Sequence, residues 1–274
     1  MRNINLAGQK KPNKNGLISK LGRLLDRRAG IVSVITFMIL WELIARITNI
    51  NPMFLPTPSS VGLELIEISN KGLLWGPLWE SGQALIVGLA ISIVVGVPLG
   101  ILFGAINILD MLSTPYMWAL RATPRIAIAP LLAIWAGFGF TAKLWMIFLS
   151  AGILIMLITQ EGVKTVDQNL VRVARSFGAN RLKVYSKVVF PFILPFIANA
   201  IRNGIGMGIV GLLIIEMYSS GGGFGYQVMR ASYTHDGPRL YGLILVLMTV
   251  SLLLVSISRR LEMYVSRWRE EAYV

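Results

Sequence analysis

Long apolar runs separated by short polar segments dominate the chain. Residues 31–47, 83–106, 115–135, 144–159, 192–217 and 240–257 each approach the roughly 20 apolar residues needed to cross a hydrocarbon core of about 30 Å. This pattern predicts an all-α integral membrane protein with six transmembrane helices. Three pieces follow: a tail over 1–30, a six-helix domain over 31–258, and a second tail over 259–274. One interruption is unlike the others. The loop over 163–190 carries Lys164, Arg172, Arg175, Arg181, Lys183 and Lys187 against a single aspartate, Asp167.

Charge placement orients the spans. The first tail is rich in lysine and arginine, from Arg2 and Lys10 to Arg27 and Arg28, and the second holds Arg259, Arg260, Arg267 and Arg269. With six spans these tails and the basic loop share one side, and the other side holds Lys71, Lys143, Arg230 and Arg239. Lysine and arginine resist translocation, so both termini and the loop are expected in the cytoplasm. The first run continues through Trp41 without a small-residue cleavage pattern, which argues for a retained span rather than a signal peptide. The residues up to about Asn15 are polar enough to predict disorder.

Composition narrows the classes further. Of 274 residues, 55% are hydrophobic and 14% charged, and the mean hydropathy is +0.66, too apolar for an ordinary soluble domain. A net charge of +13 would suit nucleic acid, but the cations sit at the ends of apolar runs rather than across a water-soluble fold. No nucleic-acid partner is expected. The absence of cysteine removes disulfides and thiolate chemistry. His235 stands without neighbouring ligands, and no nucleophile and base pair emerges, so neither a metal site nor catalysis is expected.

Local signals refine the spans. Pro52, Pro56 and Pro58 forbid a continuous helix after the first span, and Ser59 or Ser60 is expected to cap a short amphipathic helix with Val61, Leu65 and Ile68 on one face. Its expected place is the membrane surface, as a connector packed over the spans rather than a substrate contact. Gly88, Gly96, Gly100 and Gly104 recur at small-residue spacing on the second span and predict close approach of another helix. In the basic loop, Asp167 is placed to cap a helix through about Phe177, Gly178 to end it in the left-handed region, and Asn180 to cap a second helix towards Pro191. Val171, Ala174 and Phe177 then share an apolar face opposite Arg172 and Arg175, which suits docking into another protein. A solvated loop touching anionic lipid is the competing reading.

The loop Arg172-Val173-Ala174, then Gly178, then Val188-Val189-Phe190-Pro191 resembles the coupling segment of type I ABC importer permeases, E-A-A, three residues, G, nine residues, I-x-L-P. Ala174-Arg175-Ser176-Phe177-Gly178-Ala179 is similar to the sulfonate, taurine and nitrate branch. So are Leu55-Pro56-Thr57-Pro58-Ser59, Gly96-Val97-Pro98-Leu99-Gly100, Leu120-Arg121 before Pro124, and Glu216-Met217 followed by Ser220-Gly221 and Gly225-Tyr226. The resemblance implies a MetI-like permease fold in the bacterial inner membrane, working as a homodimer with two cytoplasmic ATPase subunits and an extracytoplasmic binding protein. ATP and magnesium would be held by the ATPase partner, and no Gly-Lys dipeptide for a phosphate-cradling loop occurs in this chain. Arg172, Val173, Ala174, Arg175, Phe177 and Gly178 would contact the ATPase. Arg172 replaces the family glutamate and Val173 the first alanine, so the partner pocket is expected to be acidic or neutral there.

Candidate pathway residues are Arg121, Arg125, Met207 and Glu216. A cation deep in a bilayer costs roughly 2.5–3.5 kcal/mol on insertion scales, so Arg121, Arg125 and Arg202 must face protein, water or an anion. Arg121 and Arg125, four apart, are expected on one face of the third span, with Glu216 as an acidic partner. Snorkelling or pairing within the bundle is the alternative. Met207, between Gly206 and Gly208, suits a narrow apolar gate, and the run Gly221-Gly222-Gly223-Phe224-Gly225 a flexible outer gate, a binding-protein contact or a plain loop. The expected function is import of a small anion such as a sulfonate, nitrate, bicarbonate or carboxylate. An ATP-independent secondary transporter or channel is the other class the sequence allows.

Overall fold

A computed structural model describes residues 17–48, 50–218 and 222–265. Arg2, Lys10, Lys11 and Lys14 of the first tail, Arg267 and Arg269 of the second, and Ser220 and Gly221 lie outside the described residues. The order is α1 (Leu17–Ile47), α2 (Pro58–Asn70), α3 (Trp75–Ala105), α4 (Asn107–Ala122), α5 (Arg125–Ala136), α6 (Phe140–Ile147), α7 (Ile153–Lys164), α8 (Gln168–Ser176), α9 (Arg181–Val184), α10 (Phe190–Tyr218), α11 (Phe224–Tyr233) and α12 (Gly237–Val265). Single π-helical segments, Phe148–Gly152 and Tyr185–Val189, carry α6 into α7 and α9 into α10.

Four stretches among the described residues are long and apolar enough to cross a membrane: Trp75–Ala105, Phe140–Lys164, Arg181–Tyr218 and Gly237–Arg260. Helices α4 and α5 qualify as one further span only together, and they meet at 99°. The third span is therefore not the single helix that residues 115–135 suggested. Thr123, pushed out of the helical region by the ring of Pro124, is extended (φ −68°, ψ 126°), and so is Pro124 (φ −58°, ψ 121°). Helix α1 begins well before residue 31, inside the basic segment, and exposes apolar side chains such as Val32, Phe37 and Leu43.

The core forms where α3, α6–α7 and α10 meet, around Ala84, Ile147, Ala151, Ile155 and Ala200. The glycine face of α3 explains how closely these helices lie. A Cβ on Gly100 would stand 2.6 Å from the Met156 carbonyl oxygen, so only the bare backbone fits against α7. Helix α2 is capped by Thr57, which accepts from the Ser60 amide at 3.2 Å, with Pro58 at its first position; the cap lies upstream of the serines expected to supply it. Its face of Val61 and Ile68 is buried, and Ile68 packs with Leu74, Phe224 and Leu243. The helix is a connector packed on the bundle. Arg202 pairs with Glu262, Nε to Oε2 2.6 Å, which satisfies the span's internal cation within the protein. His235 (φ 58°) ends α11 in the left-handed region.

Candidate functional site

The basic loop folds from its own capping residues. The Asp167 carboxylate accepts from the Asn169 amide at 2.8 Å and starts α8, and the Asn180 side chain accepts from the Lys183 amide at 2.9 Å and starts α9. Between them Gly178 (φ +79°) donates to the Arg175 carbonyl at 2.9 Å, and Ala179 donates to that of Ala174 at 3.1 Å. This paired closure of a helix end requires a left-handed residue, which glycine supplies without steric cost.

The apolar face of α8 is not the one expected. Val171 is buried with Val166, Val184 and Ile193, and Ala174 packs against the same cluster. Phe177 instead points away from it, 87% exposed, and Leu182 across the turn is 80% exposed. Leu170 and Val173, seven and four residues before Phe177, extend the same outer face and are also exposed. Arg172 is exposed and donates to Asn169 Oδ1 at 2.6 Å, within its own helix. Arg175 turns to the flank, where it and Arg181 line an open groove of about 970 Å³ walled by Ile101, Ile106 and Phe190. The loop is rooted by Lys164, whose Nζ lies 2.5 Å from Asp110 Oδ1 at the start of α4.

The elbow between α4 and α5 separates Arg121 from Arg125, so the shared helical face expected for them does not form. Arg125 Nη1 donates to the Leu120 carbonyl at 2.5 Å, supplying a partner that the broken helix cannot. Arg121 is exposed, its guanidinium 5.0 Å from the Trp118 ring centroid. The elbow's height follows from its neighbours. Met117 of α4 packs with Ile153 and Met156, while Ala129 and Leu132 of α5 pack with Ala142 and Met146. Thr123 and Pro124 thus lie near the middle of the α6–α7 span. Met207 is half-buried on α10.

At the bundle end that carries α11, Glu216 is not the partner of either arginine. Its carboxylate is fully buried, at 0% exposure, and Glu216 Oε1 lies 3.1 Å from the Nζ of Lys143, itself 3% exposed. Lys143 also meets Glu80 Oε1 at 2.6 Å and the Gly222 carbonyl at 3.5 Å. The Ser81 hydroxyl lies 2.7 and 2.9 Å from the two Glu216 oxygens and accepts from the Phe224 amide at 2.7 Å. Gly225 donates its amide to Glu216 Oε2 at 2.8 Å. Removing one member of such a buried pair costs about 3–5 kcal/mol, because the other charge is left uncompensated. Gly223 (φ +97°) is required twice over: a Cβ there would collide with the Glu216 carboxylate, and the backbone is left-handed. The described part of the glycine run, 222–225, is therefore held rather than flexible.

Lys143, Glu80 and Ser81 were missed in the sequence because Lys143 reads as a loop cation of the outer side. The available signal was a lysine placed directly before an apolar run, where an ionisable group needs a partner. Leu182 was missed because nothing in a four-residue helix marks which side faces out.

Residues 96–269 match the model of the binding-protein-dependent transport system inner membrane component. The chain belongs to that family. It is a multi-pass inner-membrane permease component of an ABC importer. Among relatives, a putative aliphatic sulfonates transport permease protein of Bacillus subtilis (strain 168) is 29% identical over 88% of this chain and 87% of its own length. The taurine transport system permease protein of Escherichia coli (strain K12) is 29% identical over 77% of this chain and 78% of its own. A chain from inward-facing MetNI methionine ABC transporter crystals superposes with a TM-score of 0.64 at 19% identity, covering 72% of this chain and 98% of that one, which is a likeness of fold.

Proposed function

We propose that this chain is the translocating subunit of an ATP-driven importer of small anions, with aliphatic sulfonates and taurine-like solutes as the first class to test. In this reading α1 joins the five other spans to make six, both termini are cytoplasmic, and two copies form the pathway. Two ATPase subunits dock on α8 and α9, and an extracytoplasmic binding protein delivers solute at the α11 end. ATP and magnesium belong to the ATPase.

One observation carries it. Phe177 and Leu182 project from a strongly basic loop on either side of a rigid glycine turn, where neither the chain nor water gives them favourable contact. A groove on another protein does. With Leu170 and Val173 they make the docking face, and Arg172 and Arg175 set the charge that the groove must match. The solute class is supported by the sulfonate and taurine relatives and by Arg121. Non-helical backbone at mid-membrane is tolerated only against protein or water, so the elbow at Thr123 and Pro124 lines the pathway and exposes Arg121 there.

The test is co-purification of this chain from its native membrane in mild detergent with the proposed ATPase, followed by uptake in proteoliposomes supplied with the binding protein. The expected result is a retained ATPase whose hydrolysis rises when the binding protein carries an alkanesulfonate. A chain that retains no ATPase, or uptake that proceeds without ATP, would identify an ATP-independent transporter instead.

A further inference from the structure

The buried charges at the α11 end do more than fill space. Helix α11 opens at Gly223, which has no side chain to cap it, yet its first two amides are satisfied: Phe224 donates to Ser81 Oγ at 2.7 Å and Gly225 to Glu216 Oε2 at 2.8 Å. The carboxylate also faces the positive end of the helix dipole. Lys143 then ties that carboxylate, 3.1 Å away, to Glu80, 2.6 Å away. These contacts join the starts of α3 and α6, the end of α10 and the start of α11. The two acids differ in one respect. Glu216 is fully buried and meets three residues, Ser81, Lys143 and Gly225, whereas the Glu80 side chain is 44% exposed and is held by Lys143 alone among the bonds described for it.

We propose that Lys143 and Glu216 are positioning residues for solute entry: their buried ion pair seats the N-terminus of α11, and Glu80 is the water-facing arm that lets the seat loosen. The proposal rests on the reading of this chain as a translocating subunit. It gives α11 and residues 222–225 a fixed closed position, from which opening begins at the Lys143–Glu80 contact while Glu216 keeps hold of Gly225. Lys143 and Glu216 touch the gate rather than the solute.

The chain contains no cysteine, so a thiol placed at Tyr226 is unique. The assembled complex carrying Tyr226→Cys is labelled with a membrane-impermeant maleimide in right-side-out vesicles without ATP. Uptake per ATP hydrolysed is measured on the same preparations. Glu216→Gln and Lys143→Met are each expected to raise the labelling rate at least fivefold and to lower uptake per ATP at least fivefold, with hydrolysis held within twofold of the parent. That split distinguishes positioning from a general folding defect. The neutral pair Lys143→Met with Glu216→Gln removes both buried charges and is expected to recover assembly without recovering uptake per ATP. Parental labelling and parental uptake per ATP in the neutral pair would overturn the proposal. Should these variants fail to assemble, Ser81→Ala keeps both charges and removes only the acceptor for Phe224. It is expected to raise labelling at least threefold, and an unchanged rate overturns the proposal. A parent complex without ATP-driven uptake counts against the importer reading, while the labelling comparison still judges the seat of α11.

Discussion

Lys164 Nζ lies 2.5 Å from Asp110 Oδ1, joining the last turn of α7, immediately before the basic loop, to the first turn of α4. The same carboxylate accepts from Gln160 Nε2 and from Thr114 Oγ1. Both charged groups reach water, so the ion pair itself is worth no more than about 1 kcal/mol. Gln160 is only 2% exposed, and leaving its amide without an acceptor costs about 1–3 kcal/mol. Asp110→Asn should therefore shift the thermal midpoint in detergent slightly, and Asp110→Leu substantially more. Equal shifts would mean that the amide is satisfied elsewhere.

Phe177→Asp should reduce the ATPase retained on purification at least tenfold while the permease itself keeps its midpoint, because Phe177 is 87% exposed and supports nothing inside the chain. Arg172→Glu should also weaken assembly with the native partner, whose pocket is expected to suit a cation. Parental retention in both would remove α8 from the docking surface.

The two arginines at the elbow should separate by experiment. Arg125→Ala deprives the Leu120 carbonyl of its donor and should lower stability by about 1–3 kcal/mol, read as a lower midpoint and yield. Arg121→Ala should leave the midpoint nearly unchanged and reduce anion uptake severalfold. A stable Arg125→Ala protein with impaired uptake would reverse these assignments.

Within α3, two alanine substitutions should have opposite signs. Gly100→Ala puts a Cβ 2.6 Å from the Met156 carbonyl and should cost about 1–3 kcal/mol, since a packed helix contact must open. Gly82→Ala meets nothing within 4 Å and should gain up to about 1 kcal/mol from helix propensity. Midpoints that move the same way would contradict the close approach of α3 and α7.

Glu64 on α2 supplies a pH test. Burial raises its pKa above the ordinary carboxylate value, and the nearby Asp236 raises it further. The folded state then binds its proton more tightly than the unfolded state does. Stability from this group is present below the unfolded pKa and is lost as pH rises through the folded one. Glu64→Gln should stabilise the protein at neutral pH, and the gain should vanish in acid, below the ordinary carboxylate pKa. A gain independent of pH would point to packing instead.

Local chemistry was legible in the sequence, and contacts across the bundle were not. Asp167, Gly178 and Asn180 act within a few residues of themselves, so capping rules place them correctly. The glycines of α3 were readable because their spacing marks one face. Pro124 was visible too, but a proline reports a break without its angle, and a 99° elbow undoes any face drawn through it. Glu80, Lys143 and Glu216 meet only after three spans assemble. Lys143 and Glu80 are separated by 63 positions, a distance over which helical periodicity carries no information.

With Glu216 already occupying the positive end of α11, that helix terminus has no vacancy for a negatively charged guest. In the cluster beside it, one lysine is shared by two glutamates. In the anion-importer reading proposed above, a solute passing this end would find no free helix terminus to rest on, which favours transit over storage.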